Sequence, residues 1–263
     1  MVSMTFRPHL VAFDIDGTLV DREGRLPDEL VEAVGRIKRS GTPIVLATGR
    51  SWIDALPIHE ALNLPAGPNI VSNGAVICDY PPFRLRKQVT FDPAPVIQKV
   101  ATLAPHLHIA VEDPNGGYRL NQPFPDGELH GPMNLQSVDE LCSSPVVRVI
   151  IRDPNGSSDD FKGLAKQLGM HEVSYFIGWS AWLDIAPMGV TKATALKQVA
   201  AWLGVKRKRV LALGDGRNDV EMLKWAGRGV AIGDAPPEVQ EVADHVTGLF
   251  DEGGTLAEIN RWF

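Results

Sequence analysis

HLVAFDIDGTL, His9 to Leu19, is the stretch from which the rest of the chain is read. His9 to Ile15 holds a short, almost unbroken apolar run, which suits a parallel strand covered on both faces. The run meets Asp14-Ile15-Asp16-Gly17-Thr18, where charge and a glycine arrive together. Alternate residues of an extended chain share a side, so Asp14 and Asp16 converge while Ile15 turns to the core. In an open parallel sheet the ligand lies beyond the carboxyl ends of the strands, which is where these two carboxylates fall.

Outward from this strand the signals alternate. Pro27 opens a helix with an apolar stripe at Leu30, Val31, Val34 and Ile37, and Gly41 closes it. Pro43 to Ala47 reads as a second buried strand, followed by a helix through about Leu62. Asn69 to Ile77 is interrupted at Asn73-Gly74, a hairpin signal. From Tyr80-Pro81-Pro82 to Ala186 the chain is richer in Pro and Gly. Strands are expected there over Leu107–Glu112, Tyr118–Asn121, Val146–Arg152, Val173–Phe176 and Trp182–Ile185, and helices over Pro95–Leu103 and Asp159–Leu168. That mixture reads as an α+β insertion. After Pro187 the order returns: helix Thr191–Leu203, strand Arg209–Leu213, helix Asn218–Trp225, strand Gly229–Ile232, a helix near Pro237–Ala243 and a short last helix. The expected fold is α/β, a doubly wound Rossmann-like parallel sheet built from residues 1–80 and 188–263, with an α+β domain of residues 81–187 inserted. The connections near Tyr80–Pro82 and Ala186–Gly189 are expected to let the insertion move.

Composition narrows the function classes. With 263 residues, 44% hydrophobic and 22% charged, the chain is an ordinary globular protein. A formal net charge of −6 disfavours nucleic acid and anionic membrane as partners. No apolar run is long enough to span a bilayer, and MVSMTFRPHL lacks the apolar core of a signal peptide. Cys78 and Cys142 are far apart and outside metal-ligand spacing, so free thiols in a reducing cytoplasm are expected.

The chemistry gathers at strand ends. The first strand leads into Asp14 and Asp16, the second into Thr48-Gly49-Arg50, and the strand at Leu211 into Gly214-Asp215-Gly216-Arg217-Asn218-Asp219. Lys192 begins a helix feeding the same sheet. Asp14, Asp16 and Asp215 together are costly unless a cation neutralises them. Carboxylate and carbonyl oxygens without His or Cys suit Mg²⁺, which also binds phosphate. Gly17, Gly49, Gly214 and Gly216 let backbone amides approach phosphate oxygens, Thr48 offers a hydroxyl, and Lys192 a positive charge.

FDIDGTLV, ATGR, VTKATAL and LGDGRNDVEML resemble, in order, the four motifs of the haloacid dehalogenase superfamily of phosphatases. The resemblance is greatest to its Cof-like branch, whose large α+β cap lies between the second and third motifs; NIVSNGAVI and ADHVTGLFDEGG add to it. It implies that Asp14 attacks phosphorus and becomes an aspartyl phosphate, and that Asp16 is the general acid and then the base. It implies Mg²⁺ held by the Asp14 side chain, the Asp16 backbone carbonyl and Asp215, with Asp219 in support. Thr48, Gly49, Lys192 and Asn218 would bind phosphate or orient the nucleophile. The implied substrate is a small phosphorylated metabolite (a sugar phosphate, nucleotide or cofactor precursor), handled by a cytoplasmic monomer or weak homo-oligomer. Two readings compete: a sugar phosphomutase, or a non-catalytic metabolite-binding protein. The chain departs from the family at Gly233-Asp234-Ala235, where Asn often follows the glycine; Asp234 is expected to cap the next helix. Thr48 also suits a helix N-cap, and Asn73 either a substrate contact or simple turn chemistry, while Arg119, His130 and Arg148 fall in the cap, where they could read a substrate's polar end but are expected at the surface.

Overall fold

The computed structural model describes residues 6–113, 116–157, 161, 163, 164, 173–177 and 182–263. The run after His9 forms β1 (Leu10–Phe13), entirely buried. Its residues alternate between two cores. Val11 and Phe13 join the cluster under α1 (Asp28–Arg39), while Leu10 and Ala12 join one on the opposite face. A strand apolar on both sides must be covered on both sides, which is why the doubly wound arrangement follows.

β2 (Ile44–Leu46) lies parallel to β1 on one side. On the other side come β12 (Val210–Gly214), β13 (Arg228–Ala231) and β14 (His245–Val246), all parallel, giving the order β14-β13-β12-β1-β2. The chain leaves β1 toward β2 and later returns to β1's other edge through β12, so the winding reverses between β1 and β12. Ligand crevices in open α/β sheets form at that reversal. The helices α2 (Trp52–Ala61), α5 (Lys192–Trp202), α6 (Val220–Trp225), α7 (Pro237–Gln240) and α8 (Gly254–Asn260) complete the core.

Asn73-Gly74 makes the expected turn between β3 (Gly67–Val71) and β4 (Val76–Tyr80). β5 (Arg84–Gln88), absent from the sequence reading, pairs antiparallel with β4 and carries the ribbon past Tyr80. Its five residues are all exposed, so no hydrophobic alternation announced it.

The insertion is an α+β cap. Its sheet runs β10 (Val173–Ile177), β11 (Trp182–Pro187), β9 (Arg148–Arg152), β6 (His108–Glu112), β7 (Tyr118–Leu120) and β8 (Met133–Leu135). Every expected cap strand is present, and β8 and the short α4 (Val138–Leu141) are additional. The helix α3 (Ala94–Leu103) covers one face through Ile97 and Val100, which meet Ile109, Val111, Val149, Ile151, Leu183 and Ile185. The alternate positions, Glu112, Arg148 and Asp184, therefore project from the opposite face. Of the helix expected over Asp159–Leu168, only Phe161, Gly163 and Leu164 are among the described residues; His171 and Trp179 also lie outside them. No helix of the described residues is long and apolar enough to cross a membrane.

Candidate active site

The site begins where β1 stops. Asp14 N donates to Leu213 O across the β1–β12 step, which fixes the aspartate at the mouth of the crevice. Gly17 turns the chain with φ +72°, and a Cβ there would run into the Asp215 carboxylate. Only glycine therefore lets the first loop lie against the third.

Lys192 is wholly buried at the start of α5, and its Nζ donates to Asp14 Oδ1 (2.7 Å) and Asp219 Oδ1 (2.8 Å). Thr191 caps that helix by accepting from Thr194 N, so the lysine's origin is set by local capping. Asp219 Oδ2 accepts the amides of Asp215 (3.2 Å) and Gly216 (3.0 Å). Asp219 thus shapes the Gly214–Asp219 loop and seats the lysine together. Asp14 Oδ2 and the Asp215 carboxylate accept no hydrogen bond from any described residue.

The electrostatics follow. Burial, with Asp219 and Asp16 adding and Lys192 opposing, pushes the Asp14 carboxyl up to about 7. Burial, with Asp14 and Asp219 adding, pushes Asp215 up to about 9. For Lys192 burial pulls the other way, but the two carboxylates outweigh it and the ammonium is raised above its ordinary value. Carboxyl oxygens of Asp14, Asp215 and Asp219 lie within 4.8 Å of one another. Ionised together, the three carboxyl groups would outweigh the single ammonium, and Asp14 Oδ2 and the Asp215 carboxyl face the crevice without donors. That donor set fits a hard divalent cation such as Mg²⁺.

Asp16 points elsewhere. Arg50 grips it with Nη2 to Oδ1 (2.6 Å) and Nε to Oδ2 (3.0 Å), so its side chain stands outside the three-carboxylate cluster. Thr48 is fully buried after β2, and its Oγ1 accepts Arg50 N (3.0 Å). The N-cap of α2 is Ser51, whose side chain accepts from Asp54 N, so Thr48 does not cap that helix. Asn218 donates to Asn73 Oδ1 (2.9 Å), and both amides close over Gly49, whose missing Cβ leaves them room. Asp234 accepts Phe250 N (2.6 Å); it braces a distant turn instead of capping the next helix, which starts after Pro236.

These groups open into a cavity of about 850 Å³ between core and cap, bounded by Asp14, Asp215 and Arg50 on one side and Asp184, Trp182 and His130 on the other. The sequence matches the profile of the haloacid dehalogenase-like hydrolase family over residues 11–259. The chain belongs to that family. Among full-length relatives of this hydrolase is the 5-amino-6-(5-phospho-D-ribitylamino)uracil phosphatase YcsE of Bacillus subtilis, 29% identical over 96% of this chain and 95% of the relative. The pyridoxal phosphate phosphatase YbhA of Escherichia coli is 28% identical over 91% and 93%. A solved haloacid dehalogenase-like hydrolase from Bacteroides thetaiotaomicron superposes with a TM-score of 0.82 at 25% identity, covering 98% and 100%.

Two cap residues expected at the surface of the hydrolase are buried. Arg119 is held by Asp113, Glu140 O and Ser144. Arg148 is 3% exposed among Glu112, Tyr118, Asp184 and the Gly49 carbonyl. His130 keeps an exposed ring, and Nδ1 meets Asp54 Oδ1 (2.8 Å) across the cavity. The sequence reading also passed over Glu112, Asp184, Tyr118 and Ser72. The available signal was the strand period: with Val149 and Ile151 inward, Arg148 had to share the other face with Glu112 and Asp184.

Proposed function

We propose that this hydrolase is a Mg²⁺-dependent phosphomonoesterase for a small phosphorylated metabolite, with Asp14 as its nucleophile. The observation that carries the reading is the state of Asp14: Oδ1 is tied to a buried lysine, while Oδ2 is without a donor at the mouth of the cavity. One oxygen is thereby oriented and the other is left to react.

Asp14 Oδ2 attacks phosphorus, the ester P–O bond breaks, and the leaving oxygen takes a proton from Asp16. Asp16 then accepts a proton from water as that water attacks the aspartyl phosphate, releasing phosphate and regenerating Asp14. Arg50 holds Asp16 as its carboxylate, so substrate must displace the guanidinium and Asp16 must take up a proton from solvent before it can give one to the leaving oxygen. Thr48 Oγ1 has taken the Arg50 amide, and its own proton is available to a phosphate oxygen, beside Asn218. Asp14 and Asp215, with the Asp16 backbone carbonyl, would hold Mg²⁺, and Asp219 would support them from behind because both its oxygens already have partners. When bound, Mg²⁺ neutralises the carboxylates and draws charge from the transferring group. Lys192 keeps Asp14 in place throughout.

The relatives named above act on a ribitylaminouracil phosphate and on pyridoxal phosphate, and a cavity of this volume suits substrates of that size. We place the hinges of the cap at Thr90, between the core contact of Val89 with Ala75 and the cap contact of Phe91 with Val146, and at Met188-Gly189. The deciding experiment is phosphate release from a panel of phosphorylated metabolites, with Mg²⁺ or EDTA, by wild type and Asp14→Asn. Metal-dependent release by wild type, absent from the variant, is expected. Equal release by both, or isomerisation of sugar phosphates without release, would overturn it.

A further inference from the structure

Arg148 sits on the cap, yet it reaches the loop that follows β2. Its Nε donates to Glu112 Oε2 (2.8 Å), its Nη2 to Tyr118 Oη (3.0 Å), and its Nη1 to Asp184 Oδ1 (3.4 Å) and to the carbonyl of Gly49. The first three partners are cap residues. The fourth is the backbone of the Thr48-Gly49-Arg50 loop, the only core atom to which the guanidinium donates a hydrogen bond among the described residues.

That loop has its successive carbonyls held from outside. Thr48 O accepts Asn73 N (3.0 Å), Gly49 O accepts Arg148, and Arg50 O accepts Ser72 N (2.8 Å). Ser72 and Asn73 have φ of +50° and +54°, left-handed values that non-glycine residues adopt at a cost and that cluster at working sites. Both are also tied to the cap: Ser72 Oγ donates to Glu112 Oε1 (2.6 Å) and Asn73 Nδ2 to Asp184 Oδ2 (3.3 Å). The Gly49 carbonyl and the Arg50 N–H belong to one rigid trans peptide plane and point in opposite directions. Arg148 holds the carbonyl end, and the N–H end is bonded to Thr48 Oγ1 at 3.0 Å. A pull on one end of the plane therefore turns the other.

We propose that Arg148 is a positioning residue through which the seated cap orients the Thr48 hydroxyl for phosphate. The inference rests on the phosphatase reading, since it needs that hydroxyl to meet a phosphate oxygen. Glu112 is the partner that holds the guanidinium buried, and Ser72 completes Glu112's bonding. The loop is thus in its working shape only while the cap is down, so a substrate bound under a raised cap finds Thr48 misaimed.

The test uses the full-length protein with Mg²⁺ and inorganic phosphate as the probe. Affinity is read by calorimetry, alongside melting temperature and hydrolysis of p-nitrophenyl phosphate. Arg148→Met alone strands the Glu112 charge and can unfold the cap. The paired change Glu112→Gln with Arg148→Met removes both charges together, and Arg148→Lys keeps a charge for Glu112 while losing the planar fork that spans Glu112, Tyr118 and Gly49. Both are expected to melt within a few degrees of wild type, yet to bind phosphate on the order of tenfold more weakly, the worth of one hydrogen bond to a charged acceptor. Thr48→Val is then expected to weaken phosphate binding in wild type and to add little in either Arg148 background. Wild-type phosphate affinity in both variants, or additive losses with Thr48→Val, would overturn the coupling while leaving the phosphatase intact. A wild-type protein with no Mg²⁺-dependent hydrolysis would instead remove the phosphatase reading, and this inference with it.

Discussion

Replacing Lys192 by Met tests the electrostatic account of the site at its centre. The side chains are close in length, so the change removes a charge and leaves little cavity. Lys192 is wholly buried, with Nζ 2.7 Å from Asp14 and 2.8 Å from Asp219. Removing one partner of a buried ion pair costs about 3–5 kcal/mol, because the other charge is left unpaired in low dielectric. Here two carboxylates are stranded, and proton uptake by Asp14, already raised to about 7, limits the damage to that range. At roughly 2–4 °C per kcal/mol for a chain of this size, melting in EDTA should fall by on the order of 10 °C. Mg²⁺ should stabilise the variant more than it stabilises wild type, since it displaces the proton taken up by Asp14 and supplies the positive charge the ammonium no longer provides. The assay is thermal unfolding followed by circular dichroism, in EDTA and in Mg²⁺, for both proteins. A variant that melts within about 2 °C of wild type in EDTA, or that gains no more from Mg²⁺, would refute the reasoning.

Two further predictions come from packing. Gly74 has φ +99°, and a Cβ there would strike the Thr191 carbonyl at the root of α5, so Gly74→Ala should lose at least about 2 kcal/mol in urea unfolding and lower turnover by shifting Lys192. Burial, with Asp79 adding, raises the Cys78 thiol from 9.0 to about 12, so at pH 8.5 iodoacetamide should alkylate the half-buried Cys142 first and leave Cys78 untouched until unfolding. The folded value lies above the unfolded one, so this thiol favours the fold fully below about pH 9 and loses that contribution as pH rises through about 12. Mass spectrometry of native and urea-treated protein, with unfolding followed between pH 8 and 11, checks both statements.

What could be read in the sequence was what local rules write down. β1 was legible because a buried parallel strand must be apolar throughout, and Asp14 and Asp215 because ligand groups gather at strand ends. That Lys192 begins a helix feeding the strand ends was legible, but not its total burial between Asp14 and Asp219, which depends on partners 178 and 27 positions away in the chain. β5 was invisible because its pairing is backbone chemistry under five exposed side chains. Arg148 looked like a surface residue because arginine usually is one. Its burial is set by Glu112 and Asp184, each 36 positions away, and by Gly49 in the other layer. Single-sequence patterns give the period of a strand, but not which strands a topology will stack face to face.

In the proposed mechanism, the division of the charged groups is what lets two aspartates two residues apart take different parts, Asp14 as nucleophile and Asp16 as proton carrier. Asp14 is inside, crowded by Asp215 and Asp219 and steadied by a single ammonium, so it is primed to receive a cation and to present one free oxygen. Asp16 is outside that crowd, with its own guanidinium partner on a loop that substrate can reach. A fixed nucleophile needs a rigid neighbour, and a proton carrier needs one that can let go. Lys192 is rooted in a capped helix with no exposed surface, whereas the Arg50 side chain is 25% exposed at the cavity wall. β1 ends before both aspartates, so its period does not hold them on one side; the two partners, brought in from Thr48-Gly49-Arg50 and from α5, draw them apart.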